Sequence, residues 1–158
     1  MRITEIISEA VGPNYLYHTT TKEGLLGMLR TGSILPSNPK IAHGWGFGGV
    51  GDHGDISMTR DPGYWAFGEI TTAKLVLDRE AIKQRMKMTP YGSRGEFEER
   101  VSRPIPFTNK FVKKVIFMGD DGPPTNWVKS KLRQLGIPFE MVITRQPGND
   151  IKVYQQYR

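Results

Sequence analysis

An α+β domain is what the sequence predicts, and three observations predict it. Short β-favouring runs outnumber helical ones and follow no regular alternation with them. The 18 glycines and 11 prolines cut 158 residues into short elements. No repeat and no linker divides the chain, so one domain is expected over 13–158, preceded by a separate peptide at 1–12. Its strands are expected in one or two small antiparallel sheets.

The frame begins at Tyr15-Leu16-Tyr17-His18-Thr19-Thr20, a run of aromatic and branched residues that suits a strand. Alternation puts Leu16 and His18 on one face and Tyr15, Tyr17 and Thr19 on the other. Thr21 then caps a helix with an apolar face of Leu25, Leu26, Met28 and Leu29, and Gly32 stops it. From Ser37 to Asp55 the chain is glycine-rich and carries Trp45 and Phe47. It lacks the GxxxxGK[ST] pattern of a phosphate loop, and its length suits a lid. Asp55 to Pro62 holds a second strand, with Ile56 and Met58 facing one way and Ser57 and Thr59 the other. An aromatic turn follows, Gly63-Tyr64-Trp65-Ala66-Phe67-Gly68. Small hydroxyls on one face followed by aromatic rings suit a ribose and a flat ring.

Ala73 to Asp78 is a third strand, and Asp78 caps a basic helix from Arg79 to Met86. After a turn at Tyr91–Gly95 comes Glu96-Phe97-Glu98-Glu99-Arg100-Val101. If extended, that run puts Glu96 and Glu98 on one face and Glu99 on the other. Paired carboxylates of this kind can hold hydroxyls or act as bases. Strands at Phe111–Met118, Phe139–Thr144 and Ile151–Tyr154 and a helix at Asn126–Leu135 complete the chain.

Composition narrows the chemistry. There is no cysteine, which excludes disulfides and cysteine-ligated zinc. His18, His43 and His53 are too scattered to predict a metal site. A net charge of +6 favours a polyanionic partner, nucleic acid or nucleotide. No apolar run reaches the length of a membrane span, and the first residues lack the apolar core of a secretory signal. Met1 to Ala10 places Ile3, Ile6, Ile7 and Ala10 at helical spacing. It resembles the capsid-targeting peptides of large tailed phages, with Ile7-Ser8-Glu9 as the cleavage motif and a cut before Ala10.

Four motifs occur in order: Tyr-His-Thr-Thr on the first strand, the capped helix ending Leu-Arg-Thr-Gly-Ser-Ile-Leu-Pro, Ser-Met-Thr-Arg-Asp-Pro, and a late glutamate before Pro104-Ile105-Pro106. Together, over roughly Tyr15 to Val115, they resemble the ADP-ribosyltransferase superfamily, in the branch of the DNA-modifying toxins and the RNA 2′-phosphotransferases. The resemblance implies a split pair of small antiparallel sheets with NAD in the cleft between them, used as a co-substrate without a metal. It implies that His18 bonds the adenosine ribose and that the Thr19 backbone lies near the nicotinamide amide. Ser57, Thr59 and Arg60 would line the nicotinamide ribose and phosphates, with Arg60 or Lys40 holding the pyrophosphate. Tyr64 or Trp65 would stack on the nicotinamide. Glu98 would be the catalytic carboxylate, with Glu96 positioning the acceptor.

The function implied is mono-ADP-ribosyl transfer to a host protein or nucleic acid, in the host cytoplasm, by an enzyme packaged in a phage particle. Two further readings fit the residues. One is a virion structural or interaction domain of the same fold without catalysis. The other is a nucleic-acid-binding module whose glycine-rich loop stacks its aromatic rings on bases.

Overall fold

The computed structural model describes residues 14–36, 55–60, 73–91, 98–118, 124–144 and 151–157. The N-terminal peptide, the glycine-rich run from 37 to 54, the aromatic turn from 63 to 68 and the turn from 92 to 95 lie outside them.

Among the described residues, three helices form where local signals start and stop them. Helix α1 (Lys22–Thr31) begins as the Thr21 hydroxyl accepts the Gly24 N–H at 3.2 Å. Helix α2 (Arg79–Arg85) begins as the Asp78 carboxylate accepts the Ala81 N–H at 3.0 Å. Its Glu80 lies in the first turn and Lys83 and Arg85 in the last, as the helix dipole favours. Helix α3 (Asn126–Leu135) is capped by Thr125. Gly32 and Gly136, at φ 73° and 68°, end α1 and α3 in the left-handed conformation that side chains resist.

Ten strands of the described residues pair around them. These are β1 (Tyr15–Thr20), β2 (Ser33–Ile34), β3 (Ile56–Thr59), β4 (Ala73–Asp78) and β5 (Thr89–Tyr91). The others are β6 (Glu98–Val101), β7 (Ile105–Pro106), β8 (Val112–Met118), β9 (Phe139–Thr144) and β10 (Ile151–Tyr157). Eight of them make one sheet in the order β10-β9-β8-β4-β1-β3-β6-β5, and β2 pairs with β7 as a separate ribbon. The α+β class holds. The two small antiparallel sheets do not describe this arrangement, because α3 carries the chain from β8 across to β9, which pair in parallel. β10 also runs on to Tyr157, beyond the expected Tyr154.

One face of the sheet is apolar. Leu16 sits opposite Leu77, and Leu75 opposite Val115. These residues share one buried cluster with Ile56, Met58 and Val101, and with Leu25 and Leu29 of α1, Ile82 of α2, and Val128 and Leu132 of α3. The helices therefore cover this face. Each Leu or Ile so buried contributes about 1.5–3 kcal/mol.

α1 approaches β1 closely at one point. A Cβ on Gly24 would lie 2.2 Å from the Thr20 hydroxyl oxygen, and Thr20 is buried. Alanine favours a helix over glycine by about 1 kcal/mol, but overpacking costs about 1–3 kcal/mol. Gly24→Ala is expected to destabilise by about 1–2 kcal/mol in urea titrations. In a Thr20→Ala background the same change should become neutral or stabilising, because the obstructing atom is gone.

Candidate functional site

The backbone register sorts the candidate residues into rows. Val76, Tyr17, Thr59, Glu98 and Tyr91 face one another in turn across β4, β1, β3, β6 and β5. Two residues along each strand, Lys74 pairs with Thr19, and Ser57 pairs with Arg100, which pairs with Thr89. Steps of two keep the same face of a pleated sheet, so both rows belong to one face. The row between them belongs to the other: Leu75 opposite His18, and Met58 opposite Glu99.

The first of these faces is polar and dry. Tyr17, Thr19, Thr59, Lys74 and Arg100 are all 8% exposed or less. The Lys74 ammonium stands 5.9 Å from the centre of the Tyr17 ring. Polar groups withdrawn from water need partners. Tyr17, Ser57, Thr59, Lys74 and Arg100 each have a further contact of that kind. Hydroxyls, an ammonium and a guanidinium thus gather around the register position of Glu98, withdrawn from water and partnered.

His18 belongs to the helix-covered face. Its Nδ1 lies 2.8 Å from the Ser57 carbonyl oxygen. A carbonyl only accepts, so Nδ1 carries the proton and Nε2 keeps a lone pair in the neutral ring. Burial lowers the pKa of the imidazole, more than the bond to Ser57 raises it. The ring is therefore neutral near pH 7.

Glu99 is held by two arginines. Arg79 Nε donates to Oε2 and Arg79 Nη2 to Oε1, both at 2.9 Å, and Arg60 Nη2 donates to Oε1 at 2.8 Å. The Glu99 side chain is 5% exposed, Arg79 18% and Arg60 47%. Burial alone would push this carboxyl up, but the hydrogen bonds from Arg79 and Arg60 hold it below its ordinary value. The bond to Glu99 in turn raises the pKa of Arg79. A carboxylate so saturated has little basicity left.

Of the residues named from the sequence, Thr19, Ser57, Thr59 and Glu98 fall into the two rows of the polar face. His18 and Arg60 do not: one is bonded to the Ser57 carbonyl, the other to Glu99. Tyr64, Trp65, Lys40 and Glu96 lie outside the described residues. Sequence reasoning missed Lys74, Arg100 and the Arg79–Glu99 pair. The available signal was parity, since Lys74 shares the phase of Val76 rather than that of Leu75.

No protein-family model matches the chain, and no curated protein matches it in sequence. Among the described residues, no helix is long and apolar enough to cross a membrane, and no group of three or more His, Asp or Glu could hold a metal ion.

Two outcomes test these electrostatics. Glu99→Ala leaves Arg79 half-buried without its carboxylate and Arg60 in more water. A fully buried pair broken this way costs about 3–5 kcal/mol, and the exposure of Arg60 puts the expected loss near the lower end. A loss under about 1 kcal/mol in chemical denaturation would show that solvent replaces the pair. The second outcome concerns acid. The unfolded imidazole titrates near 6.5 and the folded one lower, so stability is full above that value and declines below it. Glu99 adds a second decline below 4.5. His18→Gln should remove the upper leg and keep the lower. A wild-type stability curve flat between about pH 7 and 5 would reject the first leg.

Proposed function

We propose that the protein is an NAD-dependent mono-ADP-ribosyltransferase, built on one large mixed sheet rather than on a split pair of small antiparallel ones. The carrying observation is that Thr19, Ser57, Thr59 and the register position of Glu98 fall on one polar sheet face. These residues come from three separate stretches of the chain, and the family resemblance names all of them for one ligand.

The chemistry follows from those groups. Nicotinamide leaves with the electron pair of its bond to the ribose C1′, and the acceptor nucleophile supplies a new pair to C1′. The sugar carries positive charge in between. A carboxylate at Glu98, bonded to a ribose hydroxyl, stabilises that charge. His18, on the other pleat, acts as a positioning residue: its Nδ1–H holds the Ser57 carbonyl and so fixes β3 beside β1. The acceptor is macromolecular, and delivery from a phage particle into a host cell belongs to the same proposal. The competing reading is an interaction domain with this fold and no catalysis.

Mass spectrometry of nicotinamide released from NAD, with a host lysate as acceptor source, separates the two. Wild-type protein is expected to bind NAD and release nicotinamide. Glu98→Gln is expected to keep NAD binding and lose about 100-fold in release. Full release by Glu98→Gln would reject the carboxylate's role. Absence of NAD binding by the wild type would reject the enzyme.

A further inference from the structure

α1 and α3 turn a basic, aromatic surface away from the sheet. Their inward side chains, Leu25, Leu29, Val128 and Leu132, belong to the core, and Trp127 on the outer side of α3 is 42% exposed. Two cations flank its ring. Lys131, one turn further along α3, has Nζ 5.8 Å from the ring centre, and Arg30 of α1 has Cζ 6.0 Å from it. Arg133 lies on the same helix and faces the Phe139 ring at 5.7 Å.

Charge is unbalanced here. Among the described residues, Arg30, Lys131 and Arg133 make these ring contacts and no ion pair. This contrasts with Arg60, Arg79, Lys113 and Lys114, each of which holds a carboxylate. α3 contains no acidic residue at all, even in its first turn, where the helix dipole favours one. The nearest acid on α1, Glu23, lies two turns before Arg30. The chain as a whole carries +6.

We propose that the α1–α3 face binds single-stranded nucleic acid, with an unpaired base on Trp127 and phosphates at Arg30 and Lys131. An acidic peptide would use the cations but has no need of an exposed indole. A base has a flat face for the ring, and its strand brings phosphates for the cations beside it. Duplex DNA hides its base faces within the stack and offers only the phosphates. The surface thus lies across the helical layer from the polar sheet face, and binding there requires no NAD.

The test is fluorescence anisotropy of a labelled oligothymidylate with the full chain, in the absence of NAD and over a range of salt. Wild-type protein should bind the single strand more tightly than a duplex of equal length. Trp127→Ala should weaken binding about tenfold or more. Arg30→Ala and Lys131→Ala should each lower the slope of log affinity against log salt by about 0.7. Arg30 and Trp127 are exposed and Lys131 is half-buried, and matched circular dichroism and melting curves verify the fold. Unchanged affinity in Trp127→Ala would overturn the proposal, as would polyglutamate competing as well as the oligonucleotide or no binding by the wild type. Nicotinamide release plays no part in this assay, so its outcome and that of the transferase test are independent.

Discussion

The register of β1 between β3 and β4 is the constraint from which the rest of the molecule follows. β1 pairs with β4 over all six of its residues and with β3 at Tyr17 and Thr59. Side chains alternate along it, so a slip of one residue would exchange its two faces. Leu16 would leave the core and Tyr17 would enter it. The slip is opposed by the whole apolar cluster, in which Leu16, Leu75 and Leu77 are fully buried. Hydrophobic burial thus fixes the register, and the register places Thr19, Ser57 and Thr59 together on the other face.

The same alternation separates two adjacent glutamates. Glu99 falls into the row of Met58 and meets Arg79 and Arg60. Glu98 falls into the row of Thr59 and Tyr17. One residue along the chain therefore separates a saturated ion pair from a position on the polar face. The ion pair also has a mechanical consequence. Glu99 joins β6 to the first residue of α2, and so holds one end of the helical layer to the outer strands.

Local signals were legible in the sequence, and long-range pairing was not. Thr21, Asp78 and Thr125 each cap a helix within three residues of themselves, and Gly32 and Gly136 end two helices by conformation alone. No distant residue is needed to read them. The parity of Glu98 and Glu99 was legible for the same reason. Pro90 and Pro106 hid β5 and β7, since proline argues against a strand. β5 tolerates its proline as the last strand of the described sheet, and β7 lies in a two-stranded ribbon. The parallel pairing of β8 with β9 depends on where α3 packs, which the spacing of its apolar residues does not specify. Arg79 and Glu99 lie 20 residues apart, and only the assembled sheet brings them together. Lys74 was hidden differently. In Ala-Lys-Leu-Val-Leu-Asp both faces are buried, so alternation in hydrophobicity is weak and a buried lysine reads as a surface one.

His18 links the two faces that alternation otherwise keeps apart. Its ring lies on the helix-covered face, yet the group it holds is the backbone carbonyl of Ser57, a residue whose side chain belongs to the polar face. A neutral ring suits this task, since one nitrogen donates and burial penalises a second proton. Protonation would keep the bond to Ser57 but leave a charge among Leu16, Leu75 and Met58, the residues of its own face. A single imidazole thus holds, from the helix-covered face, the backbone that carries the Ser57 side chain. The hydroxyls of Ser57 and Thr59 can be no better placed than the backbone that carries them, so this bond bears on both.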